Sequence, residues 1–366
     1  MKITAAESFI LEVPIGGVIA DSMQSVSKLE FVGLTIQTDD GISGTGYTVT
    51  VGHGGRVIQA VLDTLYIPEL PGQDPFDVKD IWRQLYYGKA HWIGRAGATT
   101  MAQSAVDIAL WDILAKAAKM PLWQLLGGAR PAEVPIYNTH AGWLNYSVEQ
   151  LVEEAARLLD QGYPALKAKV GLPDTDEDVR RIETLRRSIP DDILLMVDAN
   201  QTWDLMQARR AARKLGELDL AWLEEPMHPD DIDAHRLLGT ESIIPIALGE
   251  HVYTTHAFRD YIAAYAVDVV QVDVCRVGGI TPWLEVAALA DAANLRVCPH
   301  AGDLMQVHQH LVKAIPNSWM LEVIPIWEKG PFQHQIRLAD GVALNPMEPG
   351  ASSDFTAGAF DRFRIA

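Results

Sequence analysis

Apolar and polar positions follow two different patterns along this chain. From about Val134, short apolar runs alternate with longer amphipathic stretches. The predicted strands are Val134–Thr139, Ala165–Val170, Ile193–Asp198, Leu220–Glu224, Ile243–Gly249, Asp268–Asp273, Leu295–His300 and Trp319–Val323. Strand, loop, helix and loop together fill each interval, which is the repeat of a parallel β/α architecture. Eight such strands with right-handed crossovers predict a closed barrel rather than an open sheet. One helix start is clear, Thr281-Pro282, read as an N-cap followed by proline at the first helical position.

The first third differs. Lys2 to Val13 and Leu29 to Thr38 are strand-like, and Gly41, Gly44 and Gly46 punctuate the turn into a third strand. Ala105, Ile108, Ala109, Ala115 and Ala118 recur at helical spacing within a predicted helix Ala98–Lys119. Pro121 and Gly127-Gly128 close the region. The expected organisation is an α+β domain over residues 1–128, a β/α barrel over 129–326, and a segment 327–366 returning to the first domain.

Chemistry concentrates where the barrel strands end. Asp198, Glu224 and Glu250 each follow an apolar run, in two equal steps of 26 residues. Equal steps of one repeat put the three acids at the C-terminal ends of consecutive strands, the face on which barrel enzymes build their sites. Three converging anionic oxygens suit a hard divalent cation, Mg²⁺ before Ca²⁺ or Mn²⁺. On the second strand Lys167 and Lys169 are two apart and share a face, which is costly unless anions lie nearby. Mutual repulsion and desolvation would lower their pKa values and suit one of them as a general base. Gln271 and Asp273 share a face of the sixth strand. His300 follows Asp273 by one repeat, so a carboxylate–imidazole hydrogen bond is expected. Glu322 on the last strand is a further inward acid, and His140, just past the first strand, is a candidate substrate contact. His308 and His310, two apart on a predicted helix, do not face each other and read as core or surface residues.

Composition narrows the classes. Hydrophobic residues make up 48% and charged residues 21%, which is ordinary for a globular enzyme, and 366 residues suffice for two domains. A net charge of −18 lacks the basic stripe that a nucleic-acid partner needs. No apolar run approaches membrane length, and no secretory h-region precedes the first strand. Two cysteines do not make a disulfide framework, so a cytoplasmic setting is expected.

The motifs together resemble the enolase superfamily, and within it the mandelate racemase subgroup. The resemblance is carried by Ala105-Val-Asp107-Ile-Ala-Leu-Trp111-Asp112 with Pro121-Leu-Trp, by Lys167-Ala-Lys169, and by Val197-Asp198-Ala-Asn200-Gln201. It continues through Leu223-Glu224-Glu225-Pro226, Gly249-Glu250, Asp273 with Gly278-Gly279, Pro299-His300 and Trp319 to Glu322. It implies a modified TIM barrel of (β/α)7β form beneath an α+β capping domain, with Mg²⁺ on Asp198, Glu224 and Glu250. It implies that Lys169 and His300 flank the α-carbon of a small carboxylate substrate, and that the metal and Lys167 stabilise an enediolate, with Glu322 in support. The related muconate-lactonizing subgroup carries a lysine on the sixth strand where this chain has Asp273, and this chain gains His300.

Acid-sugar dehydratases are a major class of the subgroup. The polar segment Pro14 to Lys28 fits a polyol better than an aryl group, since it holds Asp21, Ser22, Gln24, Ser25 and Ser27, and His53 lies in the next loop. The expected substrate is therefore an aldonic or aldaric acid that loses its 3-hydroxyl, contacted by Asp21, His53, His140 and Asn200. A racemase, epimerase or cycloisomerase would use the same residues. A non-catalytic acid-sugar-binding protein would not need paired bases. A homo-oligomer is also expected.

Overall fold

The computed structural model describes residues 1–128, 133–327 and 330–365, so the expected domain junction at 129 lies outside the described residues. Strands β1 (Ile3–Ala20), β2 (Ser25–Thr38) and β3 (Ser43–Thr50) form an antiparallel meander. The helix Ala98–Ala117 packs on it so closely that a Cβ on Gly46 would lie 1.9 Å from the Ala105 carbonyl oxygen. Only glycine permits that approach.

Strands β4 (Val134–Gly142), β5 (Ala165–Lys169), β6 (Leu194–Asp198), β7 (Leu220–Glu224), β8 (Ile246–Leu248), β9 (Val269–Val270), β10 (Arg296–Val297) and β11 (Leu321–Val323) pair in parallel, each with the next from β4 through β10. Pairing of β11 with β4, and a parallel bridge from Val297 to Ser318, close the ring.

Its interior is built in layers, as strand alternation requires. A floor of Tyr137, Ala165, Met196, Trp222, Ala247, Val269, Cys298 and Met320 takes one apolar or weakly polar residue from each strand or its end. Two residues further along, seven of the eight positions are polar, Thr139, Lys167, Asp198, Glu224, Gln271, His300 and Glu322, and the eighth is Gly249. The glycine is forced, because it has φ 154° and its Cβ would meet the Gln271 backbone at 2.6 Å.

The later strands are shorter than their apolar runs suggest. Ladder pairing in β9 stops at Val270 and in β10 at Val297, so Asp273 and His300 both stand three residues past a strand, in loops. Local bonds take over there. The Asp273 carboxylate accepts from the Cys275 N–H at 2.7 Å, and Ala301, next to His300, is left-handed at φ 49°. The expected start at Thr281 also moves. The helix runs Ile280–Ala292 with Gly279 at its N-cap, because Asp107 of the capping domain supplies the acceptors. Its carboxylate takes the Thr281 N–H at 2.8 Å and hydroxyl at 2.7 Å.

The C-terminal segment touches both layers. Val342 and Ala343 pair with the start of β4, whereas the helix Ala357–Phe363 lies on β1 and Ile365 donates its N–H to the Ile10 carbonyl. Phe332 and Phe355, stacked at 4.8 Å, join Phe31 and Tyr47 in an aromatic cluster under the cap. Among the described residues, no helix is long and apolar enough to cross a membrane.

Candidate active site and metal centre

Strand register assembles the centre. Lys169 on β5 is the direct partner of Asp198 on β6, and Asp198 of Glu224 on β7, so cation and acids stand at one height across three strands. Lys169 Nζ lies 2.5 Å from Asp198 Oδ2, and Lys167 Nζ lies 2.5 Å from Glu224 Oε1 and 3.0 Å from Glu322 Oε1. Trp222 Nε1 and Gln271 Nε2 donate to Glu224 Oε2 at 2.9 and 2.7 Å. The Glu322 carboxylate accepts from the Thr139 hydroxyl and from the Ala301 N–H, so it also fixes the loop that carries His300.

His300 Nδ1 is 2.8 Å from Asp273 Oδ2, which is the dyad expected from their spacing. Its Nε2 lies 3.3 Å from Glu250 Oε2. Burial alone would lower the imidazole pKa, but Glu250 and the bond to Asp273 outweigh it and raise it to about 9.

The lysines depart from expectation. Burial does depress Lys169, and Lys167 repels it, yet Asp198 outweighs both and its pKa is raised. Acids in this pocket exceed the lysines that face them. Burial and the Asp198 charge push Glu224 up to about 8.

That excess bears on the metal. Ligand oxygens of Asp198, Glu224 and Glu250 lie within 4.8 Å of one another, and all three residues are buried. An all-carboxylate set crowded to this degree, with surplus negative charge, fits a hard divalent cation such as Mg²⁺. Glu225, Glu250 and His251 are equally closely spaced, but Glu225 is already hydrogen-bonded to the His251 ring at 2.9 Å.

A cavity of about 470 Å³ opens above these residues, between barrel and cap. It is lined by Lys167, Lys169, Glu250, His300 and Glu322, and also by Asp21, His53 and Asn200. Asn200 is left-handed at φ 44°, donates its N–H to Asp198 Oδ1, and leaves its own buried Oδ1 without a partner. His140 stands apart. Its ring accepts from Trp143 Nε1 at 3.1 Å and lies 3.4 Å from the Tyr146 hydroxyl, against a smaller adjoining cavity. His308 and His310 are core residues, accepting the N–H groups of Val274 and Trp123.

Of the loop read as polar, Asp21 and Gln24 line the cavity and the serines do not. Ser25 and Ser27 are exposed, Ser22 donates to the Ala199 carbonyl, and Asp21 Oδ1 accepts from the Met23 and Gln24 N–H groups. Val26 and Leu29 add an apolar side to the wall, with Met101, Leu304 and Ile324. Sequence reasoning also passed over Thr139, Gln201, His251 and Arg276, which line the same cavity. Thr139 was accessible from its place two residues beyond Tyr137, and His251 from its adjacency to Glu250.

Residues 6–127 match the N-terminal domain of the mandelate racemase / muconate lactonizing enzyme family, and residues 150–358 match the enolase C-terminal domain-like family. The chain belongs to the enolase superfamily, in its mandelate racemase subgroup. Among superfamily relatives, it is 36% identical to a 3,6-anhydro-alpha-L-galactonate cycloisomerase of Streptomyces coelicolor, over 93% of each chain. It is also 36% identical to the L-talarate/galactarate dehydratase of Salmonella typhimurium, over 88% of this chain and 80% of that one. A crystal structure of a racemase from Streptomyces coelicolor with bound magnesium superimposes with a TM-score of 0.91 at 34% identity, covering 99% of this chain and 100% of the other. These superfamily members are enzymes, and the magnesium in one of them agrees with the acid triad found here.

Proposed function

We propose that this protein is a Mg²⁺-dependent dehydratase of an aldonic or aldaric acid, forming a 2-keto-3-deoxy acid. The observation that carries the reading is His300, held by Asp273 in the cavity that Lys169 also lines, above the acid triad. Asp198, Glu224 and Glu250 would hold Mg²⁺, which would supply fixed positive charge to stabilise a substrate carboxylate.

The chain's own groups do the rest. Lys169 or His300, in its neutral form, takes the α-proton, and the electron pair left behind moves toward the carboxylate, beside the Lys167 ammonium. That pair then expels the 3-hydroxyl, which departs as water with a proton from His300. The resulting enol tautomerises to the 2-keto product. Hydrogen-bonded to Asp273, the imidazole can carry that proton near neutral pH. Glu322 holds Lys167 and the Ala301 N–H, and so fixes both ends of the site. A cytoplasmic setting is part of the reading and is supported by two buried, unpaired cysteines.

A second reading is favoured by one observation. The apolar wall of Val26, Leu29 and Met101 suits a substrate with fewer hydroxyls, as in the cycloisomerase relative, and the same bases would then move a proton without loss of water. A panel of acid sugars, followed by semicarbazone formation and by mass, separates the two. A keto product lighter by one water supports dehydration. An isomer of unchanged mass, or an aromatic substrate, would overturn it.

A further inference from the structure

Arg276 stands three residues past Asp273, where the barrel meets the cap. Its chain neighbours are tied to the capping domain: the Thr48 hydroxyl donates to the Cys275 carbonyl at 2.8 Å, and Trp82 Nε1 donates to the Gly278 carbonyl at 2.8 Å. The side chain is half-buried and lines the cavity. Of the lysine and arginine cations on that wall, Lys167 and Lys169 are each ion-paired with acids of the centre. Among the described residues, Arg276 has no carboxylate within ion-pairing distance. Its one polar contact reaches the Tyr253 hydroxyl at 3.4 Å, and its buried Nε has no partner. Asp273 and Glu250 act on it at longer range, but both are engaged by His300.

A guanidinium offers five donors in a planar fork that matches a carboxylate. Removing it from water without an acceptor is costly, so an anion that enters the cavity has a waiting partner. The α-carboxylate of the substrate belongs beside Lys167 and the acid triad. Arg276 lines the cavity at the seam with the cap, so a further carboxylate that reaches this wall would meet its guanidinium.

We propose that Arg276 receives a second, terminal carboxylate of the substrate, so that the enzyme prefers aldaric diacids over aldonic monoacids. This rests on the acid-sugar reading above and narrows it.

The test compares kcat/KM for aldarates and for aldonates of matched length and stereochemistry, in wild type, Arg276→Met and Arg276→Lys. Wild type should favour the diacid. Arg276→Met should lose ~100-fold on the diacid, the scale of a lost charged hydrogen bond, and less than about threefold on the aldonate. Arg276→Lys should recover part of the diacid activity while leaving the aldonate unchanged, and it carries the comparison if the methionine variant does not fold. Equal losses on both classes would overturn the proposal and make Arg276 a support of the cap–barrel seam. So would a wild type that turns over aldonates as fast as diacids. In both cases the dehydratase reading survives. If wild type acts on neither class, that reading fails first and this one with it.

Discussion

Asp273→Asn is the most informative single change at this site, because it alters one atom and leaves the metal acids alone. Asp273 is buried and uses both oxygens: Oδ1 accepts the Cys275 N–H at 2.7 Å, and Oδ2 meets His300 Nδ1 at 2.8 Å. An asparagine can keep only one acceptor. Holding the Cys275 N–H requires its carbonyl oxygen to stay on that side, which turns its NH2 toward His300. Nδ1 must then accept, and the imidazole proton moves to Nε2. Two losses follow. The charged hydrogen bond contributes about 1.5–3 kcal/mol, or roughly 10- to 150-fold in rate if it acts in the transition state. The ring is also held neutral in a tautomer that can no longer take a proton at Nε2, so kcat should fall further, by about a thousandfold in all. Melting temperature and Mg²⁺ affinity should change little, because the loop bond survives and no metal ligand is touched. Turnover, α-hydrogen exchange in D2O and calorimetric Mg²⁺ titration test all three points. A variant within threefold of wild-type kcat would refute the dyad's role, and one that loses Mg²⁺ would show that Asp273 acts on the acids instead.

Other outcomes follow from the same geometry. Glu224→Gln should weaken Mg²⁺ binding by at least about tenfold in calorimetry, since it removes a ligand charge and turns an amide NH2 toward one of its donors, Lys167 or the Trp222 and Gln271 N–H groups; unchanged affinity would exclude it as a ligand. Lys169→Ala and His300→Asn should each abolish turnover yet differ in α-hydrogen exchange with D2O, because a base on one face works without its opposite; wild-type turnover in both would end the two-base scheme. Trp222→Ala, which empties the floor beneath Glu224, should cost about 3–5 kcal/mol in denaturant unfolding. Burial lowers the His310 pKa to about 3, so below about pH 6.5 the unfolded chain binds a proton that the folded chain refuses. Its contribution to stability is therefore constant above that pH and falls by about 2 kcal/mol from pH 7 to 5. His310→Gln should flatten that slope in chemical unfolding, and an unaltered slope would show that the imidazole titrates freely.

The barrel and its polar layer were legible because both rest on periodicity. Strand alternation places every second residue inward, and one β/α repeat returns the chain to the same height, so equal sequence intervals become equal positions on the ring. Asp198 and Glu224 meet in register for that reason. Strand length was not legible. The runs Asp268–Asp273 and Leu295–His300 each read as six residues of strand, but the ladder ends early because side-chain acceptors and left-handed residues take over the backbone groups. The Thr281 start was misplaced because its partner, Asp107, lies 174 residues away in another domain. A helix cap supplied in trans leaves no local signal.

The lysine pair departs from expectation, and the loop beyond β1 meets it only in part, for a shared reason: charge and polarity act through neighbours that composition does not name. Two adjacent ammoniums lower each other's pKa only where no stronger field opposes them. At 2.5 Å, Asp198 is closer to Lys169 than any like charge can be, so the carboxylate sets the direction. In the same way, five polar residues between Pro14 and Lys28 predict a polar wall only if their side chains face inward. On β2 the inward positions are Val26 and Leu29, while Ser25 and Ser27 fall on the solvent face and Ser22 satisfies a backbone carbonyl; of the five, Asp21 and Gln24 line the cavity. Asp21, Gln24 and His53 therefore share the cap wall with apolar side chains, and the rest of substrate recognition falls to the barrel side and the seam. Asn200 and Arg276 each keep a buried polar atom without a partner there, and an unsatisfied donor or acceptor on a cavity wall selects ligands more sharply than a polar sequence does.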